Sequence, residues 1–226
     1  MRNVDGVAAV VFDIDGTLLT TGGAGAVAWG RAFQDLYDVP ANIEDYTEAG
    51  MPDHEVCHVT FVRVLGREPS EREIGSLMAR YLGHLPDAVA ESTRYRVLPG
   101  VYETLPRLSA DGYLLGLTTG NIEAAAHVKL GRGDLNRYFC FGGYGSDSPH
   151  RGELTKAAIE RAGGILGSQV DPRRVLVVGD TPRDVEAARY VGAISVAVAS
   201  GHFTEAELAA AGADHVLSSL VEELPL

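Results

Sequence analysis

Four short stretches of the chain are apolar without alternation: Val7 to Asp13, Tyr113 to Thr119, Val175 to Asp180 and Ala193 to Ala199. A strand with one wet face alternates, so continuous apolar runs predict strands buried on both faces, as in a parallel sheet covered by helices. Between the runs, apolar residues recur at helical spacing over Val101 to Ala110, Ile122 to Leu130, Leu154 to Ala162 and Val185 to Tyr190. Strand followed by helix, repeated, predicts an α/β fold with a doubly wound, Rossmann-like parallel sheet. The polar residues that close each run then gather along one sheet edge, where such sheets collect ligands.

Between Thr21 and Arg94 the pattern changes. No buried-strand run occurs, and apolar residues repeat at helical spacing around Trp29, Phe33, Leu36, Tyr37, Val56, Val59, Val62, Leu65, Met78 and Tyr81. This predicts a helical insert, with Ser70 and Glu73 at capping-box spacing opening one of its helices. Thr204 and Glu207 repeat the device, ahead of a helix that ends at Gly212. Gly- and Pro-bearing segments bracket the insert at 19–23 and 95–100. The expected division is therefore a core of residues 1–20 and 95–226, interrupted by a helical unit of residues 21–94.

Composition narrows the function. The 226 residues are 46% hydrophobic and 22% charged, which suits a folded globular chain. The formal net charge of −12 disfavours nucleic acid as a partner, since phosphate backbones are held by clustered Lys and Arg. It also means that any anion site must supply its own cations, which points toward a metal. Cys57 and Cys140 show neither zinc spacing nor a disulfide framework. The N-terminal apolar stretch is short and interrupted by acids, so neither a secretory signal nor a membrane span is expected, and cytoplasmic residence is.

The candidate chemistry sits at the strand ends. Asp13 and Asp15, in Asp13-Ile14-Asp15-Gly16-Thr17, can both reach one edge, although Asp-Gly is also an ordinary turn. Gly179-Asp180-Thr181-Pro182-Arg183-Asp184 brings a second acidic cluster after another buried run. Oxygen donors of this kind suit Mg²⁺. The same residues also read as a helix start, with Thr181 capping, Pro182 in the first turn and Asp184 complementing the dipole. In Thr118-Thr119-Gly120-Asn121, a hydroxyl and free N–H groups between strand and helix could hold phosphate oxygens, or Asn121 could simply cap the helix.

Taken together, the three segments at 13–17, 118–121 and 179–184 resemble, in order and strand context, the signature motifs of the haloacid dehalogenase-like hydrolases. The helical insert looks like that family's α-helical cap, and Arg96 to Leu108 like its return to the core. The resemblance implies an Mg²⁺-dependent phosphatase. Asp13 would be the nucleophile that becomes an aspartyl-phosphate, and Asp15 the acid for the leaving group and then the base for water. Family members that dehalogenate lack an acid at the Asp15 position. Mg²⁺ would lie on Asp13, the Asp15 backbone carbonyl, Asp180 and Asp184. Thr119, with Gly120 and Asn121, would bind phosphate; Thr118 is the adjacent alternative.

The chain departs from the family at its third motif, where a Lys followed by Pro usually precedes a helix and this sequence has Ser148-Pro149-His150-Arg151-Gly152. Arg151 is the favoured cation, since a guanidinium can fork between carboxylate and phosphate, with Lys156 the alternative. Trp29, Arg31, His54, Arg63, Arg80 and His84 are candidates for substrate contact from the cap. The expected substrate is a small phosphorylated metabolite, phosphoglycolate among the options, handled by a monomer or homodimer with no nucleic acid or membrane partner. A sugar-phosphate mutase of the β-phosphoglucomutase kind uses the same acids and metal, and a non-catalytic binding protein is the third reading.

Overall fold

A computed structural model describes residues 6–226. Residues 1–5 of the expected first core segment lie outside the described residues. The elements run β1 (Ala9–Phe12), β2 (Leu19–Thr20), α1 (Ala24–Tyr37), α2 (Asp53–Leu65), α3 (Glu71–Glu91), β3 (Arg96–Val97), α4 (Val101–Ala110), β4 (Leu114–Thr119), α5 (Glu123–Arg132), β5 (Phe141–Tyr144), α6 (Arg151–Leu166), β6 (Val175–Gly179), α7 (Pro182–Val191), β7 (Ile194–Val198), α8 (Glu205–Ala210) and β8 (His215–Leu217).

Six strands form one sheet in the order β5-β4-β1-β6-β7-β8, and every pairing in it is parallel. β1 is central, with Phe12 opposite both Leu117 of β4 and Val178 of β6. The fold is therefore the α/β sheet that the unbroken apolar runs predict. Alternate residues face opposite layers. Val10, Phe12, Leu115, Leu117 and Val178 pack with Leu105, Leu108, Ala126 and Leu130 of α4 and α5. Ala9, Val11, Val175 and Val177 pack with Ala158, Ala162 and Ala188 of α6 and α7.

Two strands of this sheet escape the sequence pattern. β5 reads Phe141-Gly142-Gly143-Tyr144, without a branched apolar run. Its glycines are a packing device, because a Cβ at Gly143 would run into the Leu154 carbonyl of α6. β8 is three residues long and begins at His215, too short to show a period.

Between β2 and β3 the described residues are helical or irregular. β2 and β3 pair with each other antiparallel, Leu19 opposite Val97, and so mark the exit and return of the chain. α1, α2 and α3 have their own apolar centre of Trp29, Phe33, Phe61, Leu77 and Leu85, extended by Ala125 of α5. Both expected capping boxes form. Ser70 Oγ accepts from the Glu73 N–H while Glu73 Oε2 accepts from the Ser70 N–H, and Thr204 and Glu207 do the same.

Candidate active site

β1, β4 and β6 are adjacent, so their carboxyl ends bring Asp13, Thr119 and Asp180 to one edge. The Asp13 N–H donates to Val178 O at 2.8 Å, extending the ladder by one residue before the chain turns. Gly16 then adopts φ 89°, a conformation in which a side chain is strained, and a Cβ there would also strike the Asp180 carboxylate. A Cβ at Gly201 would likewise strike the Asp180 side chain. Thr17 Oγ1 donates to Asp180 Oδ1 at 3.0 Å.

Asp13, Asp180 and Asp184 are all buried, and one oxygen of each lies within 4.8 Å of the others. Asp184 has both functions open to it in the sequence. Its Oδ2 accepts from Thr181 N–H at 3.1 Å and Thr181 Oγ1 at 2.7 Å, capping α7, while its Oδ1 faces Arg151. Arg151, at the first position of α6, is 8% exposed. Its Nη2 donates to Asp13 Oδ1 at 2.6 Å and to Asp184 Oδ1 at 2.5 Å, and its Nε to Asp184 Oδ1 at 2.9 Å.

Burial pushes the Asp13 carboxyl above its ordinary range; Arg151 opposes the shift, and Asp184 and Asp15 add to it. Asp180 is raised for the same leading reason, reinforced by Asp13 and Asp184. Arg151 is held fully cationic: burial works against its charge, but Asp184 and Asp13 outweigh it. Ionising all three carboxylates against one guanidinium would leave two negative charges uncompensated in a buried site. Such a donor set, oxygen-only and walled by glycines, fits a hard divalent cation.

Asp15 faces a different partner. Its Oδ2 accepts from Lys129 Nζ at 2.6 Å and from Asn121 Nδ2 at 2.8 Å, and Lys129 also donates to Asn121 Oδ1 at 2.6 Å. Lys129 is buried; burial lowers its affinity for a proton, but Asp15 and Asp53 more than offset this and keep it charged. Sequence reasoning passed over Lys129. The available signal is its place on the apolar stripe of α5, with Ala125, Ala126 and Leu130, where an unpaired lysine would be costly.

Thr119 and Thr118 point to opposite layers. Thr118 Oγ1 bonds Thr155 Oγ1 of α6 at 2.8 Å. Thr119 Oγ1 accepts from the Asn121 N–H at 3.3 Å and Nδ2 at 2.8 Å, which leaves its own O–H to donate. Thr119, Gly120, Asn121, Lys129, Arg151, Asp13 and Asp15 all line one cavity of about 680 Å³, closed on its far side by residues of α1 to α3 and the loop before α2.

Lys156 is not brought to the site, which corrects its candidacy as the third-motif cation. Five residues along α6 from Arg151, it lies about 140° around the helix, with its side chain 54% exposed beside Glu153 at 3.6 Å. Of the candidates on α1 to α3, Trp29 lines the cavity. Arg31 pairs with Glu91, and Arg80 and His84 with Asp35, away from it. His54 lines a separate groove, and Arg63 is exposed.

A doubly wound parallel sheet with paired acids at the central strand end, and a helical unit over that edge, defines a class of hydrolase fold rather than a particular enzyme. The family model of haloacid dehalogenase-like hydrolases matches residues 7–192. The chain is 30% identical over 212 residues to a phosphoglycolate phosphatase of Synechococcus elongatus, covering 93% of this chain and 92% of that one. It is 27% identical to a probable phosphatase, IndB, of Dickeya dadantii, over 94% and 90% of the two chains. Among solved structures, a hydrolase from Pseudomonas syringae superposes with a TM-score of 0.71 at 22% identity, covering 95% and 94%. A β-phosphoglucomutase from Clostridium difficile gives 0.71 at 18%, covering 95% and 92%, and these two likenesses bear on the fold alone. The chain belongs to the haloacid dehalogenase-like hydrolases, and its relatives place it with the phosphatases of that family.

Proposed function

We propose that the chain is an Mg²⁺-dependent phosphatase that hydrolyses a small phosphomonoester through an aspartyl-phosphate on Asp13. The observation that carries this reading is the pairing at the end of β1. Asp13 is buried against Arg151, and Asp15 opens onto the same cavity with one oxygen fixed by Lys129 and Asn121.

The residues divide the work as follows. An Asp13 oxygen attacks phosphorus, the bond to the leaving oxygen breaks, and Asp15 gives that oxygen its proton. Asp15 Oδ2 already accepts two donors, so the transferable proton belongs on Oδ1. Asp15 then takes a proton from water, which attacks phosphorus and releases Asp13 and inorganic phosphate. Arg151 neutralises and orients Asp13, and Thr119 O–H donates to a phosphate oxygen. Mg²⁺, held by Asp13, Asp180, Asp184 and the Asp15 carbonyl, would supply the charge that lets a carboxylate approach a phosphate dianion.

Residues 21–94 serve in this reading as a cap. The Arg151 Nη1 donation to Gly50 O at 3.3 Å and the Asp53 N–H donation to Gly120 O at 2.8 Å hold it against the core, where it excludes water. We place the enzyme in the cytoplasm, acting on a free metabolite. The test is phosphate release from a panel of phosphomonoesters, without any sugar bisphosphate, in Mg²⁺ or EDTA. Metal-dependent release that disappears in Asp13→Asn is expected. Release only when a bisphosphate activator is added would point to a mutase and contradict the proposal.

A further inference from the structure

The far wall of the active-site cavity differs in charge from its floor. On the floor, Lys129 and Arg151 are both engaged in ion pairs, with Asp15 and with Asp13 and Asp184. On the wall formed by α1 to α3 and their loops, the charged residues are Asp53 and the exposed Glu44 and Glu48, the last paired with Arg183 at 3.4 Å, and among the described residues that line the wall there is no lysine or arginine. The cationic candidates on those helices, Arg31 and Arg80, turn outward to surface carboxylates. A leaving group with a carboxylate would therefore meet acids on that wall and no lysine or arginine there to bind it.

One polar group on that wall is unclaimed. Tyr81 of α3 is 2% exposed, packs edge-on against Trp29 at 5.0 Å between ring centroids, and lines the cavity. Its hydroxyl has no hydrogen-bond partner among the described residues. It sits over Gly25, where an added Cβ would lie 3.9 Å from Tyr81 Oη and 3.9 Å from Lys129 Nζ, so the absent side chain keeps open a passage between the two. Burial, then Asp53 and Asp15, holds the phenol well above its ordinary range, so it stays a donor. Trp29 offers no such group, since its Nε1–H already donates to Thr60 Oγ1 at 3.2 Å.

Resting on the phosphatase reading, we infer that this cavity selects monoesters whose leaving group is uncharged and hydroxyl-bearing, with Tyr81 Oη bonding a substrate hydroxyl, over monoesters that carry a carboxylate. A buried polar group built to bond a substrate hydroxyl discriminates strongly when that hydroxyl is missing, and the acids at the cavity wall oppose a carboxylate. The inference sets this chain apart in preference from relatives that bear the name phosphoglycolate phosphatase.

The experiment compares kcat/KM of the full-length Mg²⁺-loaded enzyme for glycerol 1-phosphate and ribose 5-phosphate with that for phosphoglycolate and 3-phosphoglycerate, using p-nitrophenyl phosphate as reference. The hydroxylated esters should lead by about tenfold or more. Tyr81→Phe, which keeps the ring in its packing, should shrink that ratio by about tenfold, with circular dichroism and thermal unfolding reporting that the fold survives. A wild type that prefers the carboxylate esters overturns the inference and leaves the phosphatase reading standing, and so does a Tyr81→Phe ratio equal to that of wild type. No release from any ester, p-nitrophenyl phosphate included, overturns both.

Discussion

Arg151 illustrates how much of the site depends on shape rather than charge. Its guanidinium reaches Asp13 through Nη2 and Asp184 through both Nη2 and Nε. A lysine amine is a single point and cannot span the two carboxylates in the same plane. Arg151→Lys should therefore lower kcat by about 10- to 100-fold, the equivalent of one or two charge-assisted hydrogen bonds, with Lys156→Ala remaining within about twofold of wild type. Steady-state kinetics of the two variants check this, and the reverse order would return the role to Lys156. At this scale the sequence was informative where a residue adjoins a motif. Arg151 opens a helix, Asp13, Asp15 and Asp180 stand just past strand ends, and Asp184 lies in the first turn of the helix after β6. Lys129 was illegible because its partners, Asp15 and Asn121, are set by how α5 lies on the sheet.

Between elements, the contact of α2 with α5 is the most informative. Asp53 opens α2, its backbone N–H donates to Gly120 O, and its Oδ2 accepts from the Ile122 N–H at 2.9 Å, just ahead of α5. Burial raises this carboxyl to about 6 from 3.8, against the pull of Lys129 and the Ile122 hydrogen bond. The folded chain therefore holds this proton more tightly than the unfolded chain. The resulting contribution to stability is full below pH ~4 and is lost as pH rises through about 6. Asp53→Asn keeps an oxygen for the Ile122 N–H and removes the buried charge. It should flatten the pH dependence of stability between those limits and gain about 1–3 kcal/mol above them, measured by urea unfolding at pH 4, 5.5 and 7.5. A variant with the same pH slope as wild type would refute that account. The helices themselves were legible because their apolar stripes and caps are local. β5 was not, because Gly143 answers to the backbone of α6 and Gly142 to the Tyr144 ring rather than to any period along the strand.

For the molecule as a whole, one edge of a parallel sheet is covered by a helical unit with its own apolar centre, and the site lies between them. That architecture could be read from the apolar runs and from the stretch that lacks them, since both reflect burial on a large scale. The cavity's preferences could not, since they depend on which side chains of α1 to α3 turn inward, as Tyr81 does, and which turn out, as Arg31 does. The overall charge of −12 gives no long-range attraction for a phosphate, so affinity has to come from the cations and donors at the strand ends. The account's central claim is that phosphoryl transfer passes through Asp13, with Asp15 needed to complete it. The most direct measurement mixes Asp15→Asn with p-nitrophenyl phosphate and Mg²⁺, since an acidic phenol leaves without a proton but the second step still needs a base. The account predicts a burst of one equivalent of p-nitrophenolate followed by a stall, with a phosphoryl group found by mass spectrometry on the peptide that contains Asp13. Catalysis by wild type with neither burst nor adduct in the variant, or an adduct on any other residue, would contradict it.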